Sequence, residues 1–126
     1  MHIARKDKVK KPRENPTGER IYEMIGRGKE LGGATKHSFA YVVIPPNCSS
    51  QLHYHPEDEE TYYILKGEAR LIINDKEHHV CPGDAIFINP PERHQIFTEG
   101  TEDLEFMVVC APAWQLTNSV FLDGFC

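Results

Sequence analysis

Three histidines and one glutamate in the middle of the chain have the residue types and the spacing of a metal site. His53 and His55 are two residues apart, Glu60 follows after four others, and His94 lies further along the chain. Side chains two residues apart on a β-strand point to the same face, so His53 and His55 would present both imidazoles to one site. Imidazole and carboxylate ligands suit divalent transition metals, and a set of four can leave coordination positions open for substrate or O₂.

Strand-length runs of β-branched and aromatic residues surround these four positions. Proline and glycine separate the runs at short intervals, and no long stretch of helical periodicity lies among them. Such a pattern predicts an all-β sandwich or barrel. Asn74 and Asp75, which tolerate the left-handed backbone, predict a hairpin turn. The predicted strands are residues 39–44, 61–65, 69–73, 85–88, 94–97 and 104–110.

The two ends of the chain differ from its centre. Residues 1–20 are polar and carry seven Lys/Arg against three Asp/Glu, which predicts an extended basic arm before a single domain at residues 21–126. The last residues contain side chains too apolar for a free tail, so we expect them to dock on the domain. These apolar residues are Val120, Phe121, Leu122 and Phe125.

A short segment after the arm has a different periodicity. Ile21, Met24 and Ile25 have the spacing of one helical face. Gly26 and Gly28 would limit a helix at this point to a turn or two, because glycine is a poor helix former.

Length and composition limit the function classes. A chain of 126 residues with 40% hydrophobic and 26% charged residues fits one ordinary globular domain. Residues 21–126 carry seven Lys/Arg against sixteen Asp/Glu, and so acidic a body argues against nucleic acid as a partner. No apolar run approaches the ~20 residues of a membrane helix and none resembles a signal peptide, so we expect no membrane contact and a cytoplasmic location. The four cysteines form no C-x-x-C pair, which argues against a zinc knuckle or a thioredoxin-type site.

The spacing of the four candidate ligands, together with the residues around them, resembles that of the cupin family. Asn47-x5-His53-x-His55-x4-Glu60-x6-Gly67 resembles the first cupin motif, and Gly83-x5-Asn89-x-Pro91-x2-His94 resembles the second. The resemblance covers residues 39–112, with the fifteen residues between Gly67 and Gly83 that are typical of small microbial cupins. It implies an antiparallel jelly-roll β-barrel, usually dimeric, that binds one divalent metal (Fe, Mn, Ni or Zn). The implied ligands are His53, His55, Glu60 and His94.

The sequence departs from the cupin motifs at four positions, none of which is a ligand. Asn47 replaces the first glycine, a mild change because asparagine also adopts the left-handed conformation. Asn89 stands where proline is usual and Pro91 where glycine is usual, so the loop before His94 is expected to differ in shape. Thr98 replaces the final asparagine of the second motif.

Strand periodicity places two further polar side chains beside the ligand positions. Gln51 shares a face with His53 and His55, and Tyr62 shares a face with Glu60. An amide and a phenol beside an open metal position could bind substrate oxygen or relay a proton, so both are candidate catalytic residues. In the alternative interpretation, Gln51 is hydrogen-bonded to a ligand and Tyr62 is a core aromatic with its hydroxyl at the rim.

Two other patterns have plain structural interpretations. The acidic run at residues 57–59 is more typical of a solvated loop than of a second cation site. The alternating residues Leu104, Phe106, Val108 and Cys110 predict one core-facing side of a strand.

The resemblance implies a metal-dependent protein that acts on, or senses, a small oxygen-rich molecule. As an enzyme it would catalyse oxygenation, decarboxylation or isomerisation of a substrate held at the metal. The alternative from another class is a non-catalytic module that binds a metabolite or a metal. A metal-independent sugar epimerase, which some cupin relatives are, fits the intact ligand set less well. The expected partners are a small-molecule ligand and a second copy of the chain in a homodimer.

Overall fold

The computed structural model describes residues 1–122, and these are almost entirely β-strand and loop. Within that range no α-helix forms, and three single turns of 3₁₀ helix lie at Lys6–Lys8, Lys29–Leu31 and Leu116–Asn118. No helix there is long and apolar enough to cross a membrane. The strands are β1 (Arg13–Glu14), β2 (Arg20–Ile25), β3 (Ser38–Ile44), β4 (His53–Tyr54), β5 (Glu59–Lys66), β6 (Glu68–Ile73), β7 (Lys76–Val80), β8 (Ala85–Ile88), β9 (His94–Glu99), β10 (Leu104–Ala111) and β11 (Val120–Phe121).

The strands form two antiparallel sheets that enclose one hydrophobic core. One sheet has the order β1-β2-β3-β10-β5-β8, and the other has the order β11-β4-β9-β6-β7. Side chains from both sheets meet in the core, among them Ile64 and Phe106 from the first and Leu71 and Ile96 from the second. Burying each of these large side chains contributes about 1.5–3 kcal/mol. The predicted antiparallel all-β fold is confirmed.

Alternation along β5 explains how one strand serves both the core and the candidate site. Glu60, Tyr62 and Ile64 are buried, whereas Tyr63 between them is 41% exposed. Because successive side chains of a strand point to opposite faces, a polar ligand and core residues share one face of β5. The strand therefore places Glu60 at the end of a row of buried side chains.

All six strands predicted from the sequence are present, with bounds that differ by at most two residues at either end. The hairpin that joins β6 to β7 turns at Asn74 and Asp75, whose φ angles are 47° and 69°. Both residues adopt the left-handed backbone that a tight two-residue hairpin turn requires.

The expectation of a helical turn around Ile21 is wrong, because residues 20–25 form strand β2. Ile21 pairs with Val42 of β3, and the register shifts between Glu23 and Ile25, which leaves Met24 as the extra residue of a β-bulge. A bulge inserts one residue into the period-2 alternation. Apolar residues on either side of it therefore acquire a spacing that imitates a helix.

Both ends of the described chain lie against the sheets. Residues Arg13 and Glu14 of β1 pair with β2 of the same chain, and the guanidinium of Arg13 stacks 4.0 Å from the ring centroid of Trp114. At the other end, Phe121 of β11 pairs with His53 of β4. Phe125, which the sequence analysis also expected to dock, lies outside the described residues.

Candidate metal centre

The two sheets bring all four candidate ligands to one point. His53 on β4 lies opposite His94, the first residue of β9, in the five-stranded sheet. Glu60 projects from β5 in the six-stranded sheet, and His55 follows β4 directly. One nitrogen or oxygen atom from each of the four residues lies within 4.8 Å of the others. Residues 41 positions apart in the sequence thus converge because their strands are neighbours in the fold.

Each imidazole is fixed by a hydrogen bond to a backbone carbonyl. Nδ1 of His53 lies 2.8 Å from the Gln51 carbonyl oxygen, Nδ1 of His55 lies 3.0 Å from that of Asn118, and Nδ1 of His94 lies 2.9 Å from that of Glu92. A carbonyl can only accept, so Nδ1 carries the proton in each neutral ring and the Nε2 lone pair is left free. Metal-binding histidines are commonly held in this way, because the bond fixes both the tautomer and the ring orientation.

Glu60 places a carboxylate directly against two of these Nε2 atoms. Its Oε1 lies 3.0 Å from Nε2 of His94, and its Oε2 lies 3.2 Å from Nε2 of His55. Burial raises the pKa of Glu60, but the two imidazoles beside it outweigh burial and hold that pKa well below its usual range. Glu60 is therefore ionised. Wherever the neighbouring imidazoles are neutral, their Nε2 lone pairs face the carboxylate oxygens of Glu60, so that acceptor atoms meet acceptor atoms.

The donor atoms of the cluster are in a state that suits a bound cation. Nε2 of His55 is buried and has no hydrogen-bond partner among the described residues. Desolvation of the ring is the main cause that lowers the pKa of His53 to about 3, and the His94 imidazole contributes next. This ring is therefore neutral at physiological pH. Neutral imidazole and ionised carboxylate are the forms that bind a metal ion. A divalent cation would supply the positive partner that these inward-facing lone pairs lack.

The motif positions that depart from the cupin pattern still shape the loops around the ligands. Asn47 adopts φ 64°, as expected for a residue that replaces glycine in a left-handed turn. Ahead of His94, the backbone NH of Glu92 donates to the Asn89 carbonyl, and the Glu92 side chain accepts from the Asn89 NH at 2.7 Å. This turn presents the Glu92 carbonyl to Nδ1 of His94.

The interpretation of residues 57–59 as a solvated loop is wrong for Asp58, which is 2% exposed. Asp58 accepts hydrogen bonds from the Asn118 amide at 3.1 Å and from the Cys110 thiol at 3.5 Å. Asn118 is the residue whose carbonyl holds His55. Asp58 therefore anchors the turn that orients a candidate ligand, a role that its acidic neighbours conceal in the sequence.

A cavity of about 240 Å³ opens beside the cluster, and both candidate catalytic residues line it. Tyr62 is 3% exposed and packs with its ring centroid 4.7 Å from that of Phe106 and 6.1 Å from that of His94. Burial, followed by the nearby carboxylates of Glu60 and Glu19, raises the pKa of Tyr62 well above its ordinary value, so the phenol keeps its proton. Gln51 is half-buried at the same cavity.

Three residues of the basic arm line this cavity although the sequence patterns did not predict it, and Asn15 is one of them. Arg13 and Glu19 both face this cavity, from strand β1 and from the hairpin that follows it. Asn15-Pro16-Thr17-Gly18 is a turn-forming run before the β-branched start of β2, and this signal could have predicted the hairpin. Nothing in the sequence indicates that the hairpin folds over the cavity.

Sequence comparisons relate the chain to a known family and to individual proteins. A family model described as "Cupin domain" matches residues 40–110. The oxalate-binding protein of Thermotoga maritima is 41% identical over 103 residues, which covers 74% of this chain and 85% of that protein.

Solved structures of similar fold extend the comparison over most of the chain. The polyketide cyclase RemF from Streptomyces resistomycificus is 28% identical with a TM-score of 0.78, covering 98% of this chain and 87% of that one. The formate complex of Lactobacillus farciminis oxalate decarboxylase is 26% identical with a TM-score of 0.77. That alignment covers 89% of this chain and 33% of the decarboxylase, so the chain spans about a third of the length of that enzyme.

Proposed function

Because the chain belongs to the cupin family, we propose that it binds one divalent transition-metal ion and, at that ion, a small oxygen-rich molecule. The proposed metal ligands are His53, His55, Glu60 and His94. The observation that carries the proposal is the orientation of the three imidazoles, whose Nδ1 atoms bond to carbonyls while Nε2 of His55 and of His94 meets the Glu60 carboxylate. Fe, Mn, Ni and Zn all suit this donor set.

The cavity limits the size and polarity of the ligand. Its volume of about 240 Å³ lies below the ~300–1,000 Å³ of pockets that hold drug-sized molecules. Apolar side chains such as Ile21, Val42 and Phe106 form much of the wall, and its polar side chains include the metal cluster and residues of the N-terminal hairpin such as Arg13 and Glu19. This favours a molecule of a few carbon atoms with a carboxylate, diol or enolate group at one end. The names of the Thermotoga and Lactobacillus relatives point to the same class, since oxalate is a small dicarboxylate.

In this proposal the chain's own side chains bind and orient the molecule. A bound divalent ion would act as a Lewis acid toward ligand oxygen atoms. Tyr62 keeps its proton and can donate a hydrogen bond to an oxyanion, while the Gln51 amide can donate or accept at the cavity rim. The apolar wall excludes water, which strengthens these polar contacts. Oxygenation, decarboxylation and isomerisation are the reactions to which such a site is suited.

A second candidate function is binding without catalysis. The observation in its favour is that the Thermotoga maritima relative is named an oxalate-binding protein, a name that states binding and no reaction. Turnover separates the two candidates. A metal-loaded chain that binds a ligand tightly and never converts it is a binding module.

The test is a calorimetric titration of oxalate into the chain loaded in turn with Mn²⁺, Fe²⁺, Ni²⁺ and Zn²⁺. Keto acids, catechols and phosphosugars are screened in the same way, and products are analysed by mass spectrometry. We expect saturable binding that is lost after chelator treatment and in His94→Ala, but kept in His37→Ala, which changes an exposed histidine outside the cluster. Equal binding with and without metal, or binding of none of these compounds, would overturn the proposal.

A further inference from the structure

Glu19 is a buried carboxyl group of the cavity that the metal cluster does not use. It is 8% exposed and lines the cavity beside Tyr62. Its Oε1 accepts a hydrogen bond of 2.6 Å from the Asn15 amide. Its Oε2 has no hydrogen-bond partner among residues 1–122. Oε2 is not one of the buried side-chain atoms that lack a partner, so it is open to the cavity, where a ligand can reach it.

The hairpin between β1 and β2 fixes the position of this carboxyl. The backbone NH of Asn15 donates to the Glu19 carbonyl at 2.9 Å, and the turn residue Gly18 has φ +98°. A Cβ atom on Gly18 would lie 2.5 Å from Sγ of Cys48, so only glycine allows the turn to pack this closely. The close contact seats the hairpin on the body of the protein and holds Glu19 in the cavity wall.

The charges around Glu19 come from both sheets. Arg13 of β1 and Asn15 of the hairpin stabilise its ionised form, Glu60 of β5 opposes ionisation, and His94 of β9 favours it. The Glu19 carboxylate in turn raises the pKa of Tyr62. Burial is the largest influence and raises the pKa of Glu19 to about 7. Glu19 is thus electrostatically coupled to the metal cluster and to the cavity phenol at once.

We propose that Glu19 is the group that exchanges a proton with an oxyanion ligand at the metal centre. This inference rests on the proposed function. With Glu19 in its acid form, the Oε2–H group donates to a ligand oxygen. When the ligand takes the proton, the O–H bond of Glu19 breaks as a new bond to hydrogen forms on the ligand. The Asn15 amide and Arg13 stabilise the carboxylate that remains, and water at the cavity mouth restores the proton.

Glu19 fits this role better than Tyr62 or Glu60, two other acidic groups of the cavity. Tyr62 holds its proton too tightly to exchange it near neutral pH, because burial raises its pKa well above the ordinary value. Glu60 is ionised and belongs to the metal cluster. A general acid or base works best when its pKa lies near the working pH, and Glu19 meets that condition.

The first test is infrared spectroscopy of the full chain, both metal-free and Zn²⁺-loaded. A protonated carboxyl has a C=O stretch that an ionised carboxylate lacks. The wild-type spectrum minus that of Glu19→Gln should contain this band at about pH 5 and lose it as the pH rises. The matched control is Glu14→Gln. Glu14 is an exposed carboxylate of the same hairpin and pairs with Arg20 at 3.3 Å, so the spectrum of this variant should keep the band. A difference spectrum without the band would overturn the inference.

The second test measures protons taken up when oxalate binds to the Zn²⁺-loaded chain. Titrations at about pH 7 in buffers of different ionisation enthalpy give this number. Wild type and Glu14→Gln should take up a fraction of a proton per oxalate bound, and Glu19→Gln should take up none. Above the pKa of Glu19, wild-type affinity should fall about tenfold per pH unit while that of Glu19→Gln stays level.

The outcomes separate this inference from the function on which it rests. Failure of oxalate and the other screened oxyanions to bind the metal-loaded wild type would remove the proposed function and this inference with it. Metal-dependent binding with the same proton uptake in Glu19→Gln as in wild type would remove the role of Glu19 alone.

Discussion

Nε2 of His55 lies 3.2 Å from Oε2 of Glu60, and although both side chains are buried, the nitrogen has no hydrogen-bond partner among the described residues. Nδ1 of the same ring bonds to the Asn118 carbonyl, which fixes the proton at the far side of the ring. While this ring is neutral, two buried acceptor atoms face each other at hydrogen-bond distance. Such a contact is unfavourable in isolation and becomes favourable with a cation between the two residues. Burial lowers the pKa of His55, but the Glu60 carboxylate outweighs burial and raises it, so this position attracts a positive charge.

Removal of metal should therefore destabilise the protein. A cation that binds only the folded chain stabilises it by mass action, by about 4 kcal/mol when free metal is a thousandfold above its dissociation constant. We expect the midpoint of thermal unfolding to rise with added Zn²⁺ or Mn²⁺ and to fall with chelator. Circular dichroism on wild type and His94→Ala measures this, and an identical shift in the variant would contradict the assignment.

Replacing Tyr62 by phenylalanine should affect chemistry far more than folding. The substitution keeps the ring in its packing with Phe106 and removes only the hydroxyl. If the chain turns over a screened substrate, the rate should fall ~10²–10³-fold, the usual cost of removing one hydrogen-bond donor to a developing oxyanion. If it only binds, affinity for oxalate should fall about tenfold, as for one lost hydrogen bond to a charged group. Unchanged turnover and affinity would exclude a role for this phenol.

Asp58 should influence metal affinity although it is not in the cluster. Its carboxylate holds the Asn118 amide, and Asn118 holds His55. Groups that orient metal ligands typically contribute 10–100-fold in affinity, so Asp58→Ala should weaken metal binding by roughly tenfold or more. The matched control is Glu57→Ala, one residue away and exposed, which should bind as wild type. Equal affinity in the two variants, measured by competition with a chromophoric chelator, would argue against this anchor.

Strand β5, which carries Glu60, could be predicted because its side chains alternate between the core and the outer face. On β5, polar Glu60 and apolar Tyr62 and Ile64 share one buried face, and the resemblance of the His/Glu spacing to the cupin motifs indicated the cluster. Strand β2 could not be predicted, since the bulge at Met24 breaks its alternation and gives a helix-like spacing. The pattern of apolar residues in one strand does not show which residue the partner strand will leave unpaired.

The burial of Asp58 and Glu19 could not be predicted either. In sequence, Asp58 stands in an acidic run and Glu19 in a basic arm, and both contexts are typical of solvent. Their partners lie elsewhere: Asp58 bonds to Asn118 and Cys110, and Glu19 depends on the packing of Gly18 against Cys48. Contacts that join distant segments arise from the tertiary fold, and no local pattern encodes them.

Glu19→Gln should stabilise the metal-free protein at alkaline pH and have little effect near pH 4.5. The pKa of Glu19 is about 7 in the folded chain against an ordinary value of 4.5, so the folded state binds more protons between these limits. The contribution of Glu19 to the free energy of unfolding is fully present below pH 4.5 and is lost as the pH rises through about 7. Above that pH the variant should gain up to roughly 3 kcal/mol over wild type.

Urea unfolding across this pH range, with chelator present, measures the difference. Glu14→Gln is the control, because its exposed ion pair with Arg20 contributes little to stability. A Glu19→Gln difference that stays constant with pH would show that folding leaves the pKa of Glu19 unchanged, and would contradict this prediction.

Elemental analysis of the metal bound by single-histidine variants tests the central claim most directly. Each protein is equilibrated with excess Zn²⁺, Mn²⁺, Fe²⁺ or Ni²⁺ under matched conditions, desalted, and analysed for metal per chain. Wild type and His37→Ala should retain about one ion of at least one of these metals per chain, whereas His53→Ala and His94→Ala should retain little, since each lacks one of four ligands. Full occupancy in both cluster variants, or none in wild type, would contradict a metal centre formed by His53, His55, Glu60 and His94.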